Sequence, residues 1–323
     1  MIKKFGSHRG ILVAYLATIG LLLLTSLVSR GFLAGAHLRS MAMLAAFIGI
    51  VALGQTFVII GGGIDLSVPW VLNGAAVFVT LFAHGQNQPL VWAVPLLLVA
   101  GAIVGTINGI GIAFAGVPPI IMTLAVNVIL QGSILISTGG APTAAAPGAL
   151  QFLAVGRIAG IPVVIGMWAL LAVAATVFLS KTAAGRYLYA LGTNATVAEY
   201  SGVPTLRTTV LSYTLSGFTA ALVGMLLTGY SGQAYLGMGD PYLFTSIAAV
   251  AIGGTSIMGG SGHYIGTIAG ACLLTILTAL LPALNLSTGA LQIVYGTVIL
   301  VTVSMASEAM PKLFFGSRST SQD

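Results

Sequence analysis

Apolar residues fill most of the chain in long runs, and only short polar or glycine-rich breaks separate them. A helix needs about 20 mostly apolar residues to cross the hydrocarbon core of a bilayer. Glycines interrupt the third and eighth runs, so these two segments could be partly re-entrant. The pattern predicts ten spanning helices, at 11–29, 39–61, 64–83, 90–115, 118–138, 161–179, 208–229, 242–258, 262–281 and 287–306.

Composition indicates that these helices lie in a membrane. Hydrophobic residues make up 58% of the chain and charged residues 5%, and the mean hydropathy is +1.08. So few charges cannot cover a water-facing surface. We therefore expect one all-α polytopic membrane domain over 1–323, which spans the membrane between 11 and 306 and ends in a cytoplasmic tail, 307–323. The first run could be a cleaved signal, but its length favours a retained span.

The basic residues indicate the orientation of the chain. An even number of spans puts both termini on one side, and Lys and Arg accumulate in cytoplasmic loops. A cytoplasmic N-terminus places eight basic residues inside, namely Lys3, Lys4, Arg9, Lys181, Arg186, Arg207, Lys312 and Arg318, and three outside, namely Arg30, Arg39 and Arg157. Both termini are therefore predicted to be cytoplasmic. The net charge is +6, but the basic residues are scattered along the chain and form no patch. No nucleic-acid partner is therefore expected.

One predicted cytoplasmic loop, 180–207, has the features of a compact and rigid element. Asn194 is a good N-cap for a short helix that runs through Ser201. Gly202 suits the position after the helix end, and Pro204 prevents the helix from continuing. An ordinary connecting loop with good capping chemistry is the alternative reading of these residues.

Asp65 is a carboxylate in an otherwise apolar stretch, two residues after the triple glycine Gly61 to Gly63. An ionised aspartate at the bilayer centre costs about 2.5 to 3.5 kcal/mol, so such residues normally face protein or a wet cavity. Asp65 could cap the next helix through its N-terminal amides, lie beside a solute pathway, or do both.

Five of the uncharged amides within predicted spans are candidates for a polar lining, and they are Gln55, Asn73, Asn108, Asn127 and Gln131. Each can donate and accept hydrogen bonds, although each could also simply join helices. Their neutrality favours a neutral polyhydroxylated solute over an ion pore lined by charged rings. We expect a partly polar solute pathway that includes them.

A short internal echo suggests two related halves. VALGQT at 51–56 is followed by Gly61 and Gly62, and VAIGGT at 250–255 is followed by Gly259 and Gly260. Transporters are often built from such repeats. Chance similarity in a glycine- and alanine-rich chain remains the alternative.

The chain lacks the sequence motifs of several enzyme classes. It contains no G-x-x-x-x-G-K-[ST] phosphate loop, no H-E-x-x-H sequence and no clustered Cys and His residues. We expect no enzymatic activity, no cofactor and no metal.

Three stretches together resemble the permease subunits of bacterial ABC importers for monosaccharides of the ribose, xylose and galactofuranose type. They are GGGIDLSV at 61–68, GRYLYALGTNATVAEYSGV at 185–203 and AVAIGGTSIMGGSGHYIGT at 249–267. The resemblance implies a type II importer-like permease of the inner membrane that pairs with a second copy or a paralogue. It also implies an ABC ATPase subunit, which hydrolyses the ATP, and a periplasmic sugar-binding protein as partners, with lipid around the spans.

The resemblance further assigns residues to roles. It adds Ser67, two residues after Asp65 in the GGGIDLSV motif, to the solute pathway. It implies a coupling contact with the ATPase at Gly185, Arg186, Ala190, Gly192, Asn194, Ala198, Ser201 and Gly202. The family motif usually continues with glycine, whereas Pro69 and Trp70 follow here, and Trp70 could stack on a sugar or lie at the membrane interface. A stand-alone secondary carrier, in which Asp65 binds a coupling proton or cation, is the alternative function.

Overall fold

The structure is a computed structural model that describes residues 2–28, 31–140 and 145–283, together with a few helical positions between 289 and 300. The predicted tail, 307–323, and most of the predicted tenth span, 287–306, lie outside the described residues.

The described part is mostly helical. The first six helices are α1 (Ile2–Val28), α2 (Gly35–Ile60), α3 (Val68–Ala83), α4 (Leu90–Ala113), α5 (Pro119–Thr138) and α6 (Gly148–Val155). A short antiparallel hairpin, β1 (Arg157–Ile158) and β2 (Ile161–Pro162), follows them. The remaining helices are α7 (Val163–Lys181), α8 (Ala183–Thr193), α9 (Ala195–Tyr200), α10 (Thr205–Ser231), α11 (Pro241–Ile252) and α12 (Tyr264–Ala283).

Each of the first nine predicted spans corresponds to a helix, and the differences arise mostly where glycine interrupts an apolar run. The helix α3 begins at Val68, after the three glycines, and α11 ends at Ile252, before the next glycine pair. Among the described residues, α1, α2, α4, α5, α7 and α10 are long and apolar enough to cross a membrane. The helices α3, α11 and α12 give shorter apolar segments.

The helix α2 lies at the centre of the bundle. All its side chains from Ala45 to Ile60 are buried, as expected for a helix that is apolar on every face. By contrast, α1 and α5 leave most of their apolar side chains exposed.

Close backbone contact holds α4 against α10. A Cβ atom at Gly101, Gly105 or Gly109 would overlap the backbone or side chains of α10. Without a hydrophobic drive between helices in lipid, association depends on such close approach. The glycine spacing on α4 therefore serves tight packing.

A buried aromatic junction joins α2, α7 and α12. The Trp168 ring lies against Gly49, where a Cβ atom would overlap it. The Trp168 indole N–H donates to the Tyr264 hydroxyl at 2.8 Å, and that hydroxyl donates to the Gly49 carbonyl at 2.7 Å. Both aromatic side chains thus have their polar atoms paired.

Candidate functional site

The link between α2 and α3, residues 61–67, carries the single carboxylate that the sequence predicted to be important. Gly62 has φ +87°, a left-handed conformation that favours glycine, and it turns the chain back after α2. The Asp65 side chain is only 1% exposed, so it lies within the helix bundle.

Four side chains from the link, α4 and α10 form what we call the Asp65 clasp: Asp65, Ser67, Asn108 and Ser216. One Asp65 oxygen accepts from the Ser67 amide at 2.9 Å and from the Ser67 hydroxyl at 2.6 Å. The other accepts from the Ser216 hydroxyl at 2.7 Å, and Asn108 donates to the Ser67 hydroxyl at 2.9 Å. The clasp therefore joins the link to two helices.

The hydrogen bonds of Asp65 explain why a carboxylate is tolerated in this interior. Buried polar groups are stable when they are paired, and bonds to carboxylates are among the stronger ones. Asp65 binds the amide of Ser67, just before α3, and Pro69 in the first turn has no N–H to offer. Trp70 is 5% exposed, so in this conformation it is neither an interfacial residue nor an open stacking face.

The other predicted pathway amides divide into buried and partly exposed groups. Gln55 is fully buried and donates to the Asp65 carbonyl at 3.4 Å. Asn73 is also fully buried; with its amide oriented to suit its neighbours, it donates to the Tyr235 carbonyl and accepts from the Gly237 amide. Asp65, Ser67 and Asn108 are buried too, so the place of these five on a solute route stays a prediction.

Asn127 and Gln131 lie on α5 and are partly exposed. They share a helix face with Thr123, because residues four apart lie above one another. Thr123 is buried and its hydroxyl accepts from the Leu66 amide at 3.0 Å, so it fastens this face to the link. Thr123, Asn127 and Gln131 form a stripe that we call the α5 polar stripe, and sequence reasoning missed its first member because threonine also occurs widely in helices.

Three side-chain oxygens in these groups are buried without a hydrogen-bond partner among the described residues. They belong to Gln55, Asn108 and Asn127. Such unpaired acceptors are uncommon in protein interiors. They are available to a hydroxyl donor if the helices separate.

The second predicted site, the loop 180–207, folds as the compact element expected from its capping residues. Thr182 accepts from the Gly185 amide at 3.0 Å and begins α8, and Asn194 accepts from the Val197 amide at 3.0 Å and begins α9. Gly202 has φ +80°, and the Val203 amide donates back to the Ala198 carbonyl at 3.0 Å. This is the helix-ending arrangement that a left-handed glycine provides.

We call α8 and α9, residues 183–200, the coupling element. Its α8 half is anchored, because Leu188 is fully buried in a cluster with Phe57, Ile60 and Leu179. Its α9 half is exposed, with Val197 60% and Tyr200 89% exposed. In this arrangement, a partner that binds and displaces the protruding helix α9 would also displace the anchored helix α8.

The eight predicted coupling residues do not all face outward. The exposed members are Arg186, Asn194, Ser201 and Gly202. Ala190 and Gly192 are partly buried, whereas Gly185 and Ala198 are buried. Val197 and Tyr200 were missed, although two apolar residues three apart on a short capped loop helix are a recognisable signal.

Known proteins resemble the chain along most of its length. The family model described as branched-chain amino acid transport system, permease component, matches residues 38–303. The ribose import permease protein RbsC of Haemophilus influenzae is 33% identical over 296 residues, 90% of this chain and 91% of that protein. The autoinducer 2 import system permease proteins LsrD of Photorhabdus luminescens and Yersinia enterocolitica are 35% and 36% identical, over 68% of each chain. No solved structure matches.

Proposed function

The chain belongs to the permease family of branched-chain amino acid and related ABC import systems, and on that premise we propose that it carries a neutral monosaccharide across the bacterial inner membrane. As a permease subunit it forms the membrane passage, and ATP hydrolysis belongs to a separate subunit. An ABC ATPase and a substrate-binding protein are its partners in such a system. The sugar class is a proposal that rests on the ribose import relative and on the neutral amides.

The observation that carries the proposal is the extent of the match. The 90% coverage by the ribose import permease and the family match over 38–303 include both the Asp65 link and the coupling element. The two parts that an importer requires, a passage and a contact for the motor, therefore fall within the region of similarity.

The proposed pathway uses the seven polar residues in two ways. Asn127 and Gln131, on the partly exposed α5 polar stripe, contact the solute first, and the buried amide oxygen of Asn127 joins them when the helices move apart. Gln55, Asp65, Ser67, Asn73 and Asn108 shape the wall and meet the solute when the helices move apart. The unpaired oxygens of Gln55, Asn108 and Asn127 support this role, since sugar hydroxyls donate to such acceptors.

The proposed ATPase contact lies on the exposed face of the coupling element and on the two residues that follow it, Ser201 and Gly202. Arg186, Asn194, Ser201 and Gly202 touch the ATPase directly, together with Val197 and Tyr200. Gly185, Ala190, Gly192 and Ala198 hold the element in shape beneath them. The exposed apolar area of Val197 and Tyr200 supports this assignment, because aromatic residues are enriched at protein interfaces.

The wider architecture follows as part of the same proposal. The chain is one permease domain with about ten spans, both termini in the cytoplasm, and a cytoplasmic coupling loop at 180–207. It pairs with a second copy or a paralogue, and lipid covers the remaining apolar faces. Two related halves are supported by the echo segments. Each echo segment is followed by a glycine-containing link, and the second link contacts the end of α2, where the Gly260 amide donates to the Ile60 carbonyl at 2.9 Å.

Reconstitution tests the function directly. The permease, its ATPase and its binding protein are placed in vesicles, and uptake of labelled ribose, xylose, galactofuranose and a charged control sugar is measured. We expect uptake of a neutral sugar only with both ATP and the binding protein present. Uptake by the permease alone under an ion gradient would support the stand-alone carrier instead, which the hydrogen-bonded burial of Asp65 disfavours.

A further inference from the structure

Two helix links and the end of α8 meet at a place we call the glycine node: Gly62, Gly192, Gly259 and Gly260. Most of the close contacts there are between backbone atoms. A Cβ atom at Gly192 would overlap the Ile60 carbonyl oxygen and approach the Gly260 amide to 2.5 Å. A Cβ atom at Gly259 would come within 2.8 Å of the Gly62 Cα atom. The last turn of α8 is therefore in contact with the 61–67 link and with the link between α11 and α12.

Hydrogen bonds hold the three segments together at this point. The Gly260 amide donates to the Ile60 carbonyl at 2.9 Å, which joins the second link to the last residue of α2, directly before the first link. The Tyr189 hydroxyl donates to the Gly262 carbonyl at 2.8 Å, which joins α8 to the second link. Neither contact depends on a side chain of the links themselves.

The node leads directly to the Asp65 clasp. Gly62 and Asp65 lie in the same seven-residue link, and Asp65 is bound to Ser216 on α10. The Tyr213 hydroxyl, also on α10, lies so close to Gly63 that a Cβ atom there would overlap it. The link is therefore in direct contact with α10 at two points, Tyr213 and Ser216.

We propose that movement of α8 enters the membrane-spanning helices through the glycine node, with Gly192 and Tyr189 as positioning residues. The physical reason is that backbone groups in contact have no rotatable side chains that could absorb a displacement, and packed interiors transmit strain. One movement of α8 then shifts two links at once, one after α2 and one before α12. This proposal rests on the proposed function of the coupling element as the ATPase contact.

The test uses the complete importer with Gly192→Ala. The extra methyl group forces the links away from α8, whereas the ATPase-facing side chains of α9 are unchanged. We expect the ATPase subunit to remain in the purified complex and basal ATP hydrolysis to continue, while solute uptake per ATP falls by about tenfold. Gly132→Ala and Gly166→Ala are the matched controls, because a Cβ atom at either position has nothing within 4 Å.

Tyr189→Phe provides a second test that adds no atoms. It removes only the bond to Gly262, and we expect uptake per ATP to fall severalfold while the unfolding temperature decreases only slightly, as expected for the loss of one partly buried hydrogen bond. This variant decides the question if Gly192→Ala does not fold.

Two results would overturn the proposal that movement of α8 is transmitted through the glycine node. Wild-type uptake per ATP in the folded variants would show that close contact is not needed, and loss of the ATPase from the Gly192→Ala complex would place Gly192 at the docking surface. If the wild-type complex itself shows no ATP-dependent uptake, the proposed function fails first and the node proposal with it.

Discussion

At the scale of single residues, Asp65 shows how a carboxylate can be held among apolar helices. Three donors surround its two oxygens, and two of them come from Ser67 in the same link. The third comes from Ser216 on a helix far along the chain. Asp65 therefore connects the start of α3 to α10 through hydrogen bonds. Its contribution to the free energy of unfolding should be measurable.

Asp65→Ala is expected to destabilise the permease. The change leaves the buried Ser67 and Ser216 donors without their acceptor, which costs about 1 to 3 kcal/mol per abandoned group. The unfolding temperature of the purified permease measures the loss. Asp65→Asn is the matched control and should lose less, because its amide keeps an acceptor and can donate to Ser216. A wild-type unfolding temperature combined with abolished uptake would instead mean that the carboxylate acts on the solute.

Gln131→Ala on the α5 polar stripe is expected to affect transport without affecting stability. Its side chain is partly exposed, so the fold depends little on it, whereas loss of one solute hydrogen bond costs about 0.5 to 1.5 kcal/mol. The half-saturating sugar concentration should rise about two- to tenfold. Val128→Ala, at a 56% exposed position on the same helix, is the control and should leave it unchanged. Equal effects of both changes would argue against a pathway along this stripe.

At the scale of elements, the sequence predicts helices well because apolar runs, glycines and prolines mark them. The short helix after Asn194 follows from its capping residues and is confirmed. Contacts between segments that are distant in sequence are harder to predict, because they depend on tertiary packing and leave no local sequence pattern. Gly192 illustrates this: its role at the ATPase contact stays a prediction, and no local pattern indicated that its backbone lies against Ile60 and Gly260. The pairing of Asp65 with Ser216 could not be predicted for the same reason.

The aromatic junction of α2, α7 and α12 should contribute to the stability of the protein but not to transport. Tyr264→Phe leaves the Trp168 N–H unpaired and removes the donor to Gly49, with an expected loss of about 1 to 3 kcal/mol in the free energy of unfolding. Thermal unfolding measures it, and uptake per ATP should stay at the wild-type level in the folded protein. Tyr235→Phe, at a half-exposed tyrosine, is the control. An unchanged unfolding temperature for Tyr264→Phe would mean that the junction contributes little.

At the scale of the whole molecule, the exposed apolar surface divides into parts of different character. The helices α1 and α5 expose long apolar faces, for example at Leu27 and Ile136. Faces of this kind suit lipid or a second permease. Tyr200 is different, because it protrudes from a short capped helix in a loop with several charged residues. A partner protein is the appropriate neighbour for it.

Tyr200→Ala is expected to weaken the assembly of the importer. A side chain that is 89% exposed contributes little to folding, whereas a buried interface tyrosine can contribute 2 kcal/mol or more, or about thirtyfold in affinity. Co-purification of the ATPase with the permease measures the effect. Tyr235→Ala, on the opposite proposed side of the membrane, is the control. Full retention of the ATPase by Tyr200→Ala would remove this residue from the interface.

The Asp65 clasp also has a consequence for how the protein is made. Ser216 follows Asp65 by 151 residues, so at about 5 to 20 residues per second the ribosome needs on the order of ten to thirty seconds to supply it. During that interval Asp65 lacks its hydrogen bond to Ser216, because α10 has not yet been synthesised. We therefore expect the segment around α3 to stay sheltered by the insertion machinery, and to settle into the bilayer only after α10 has been synthesised.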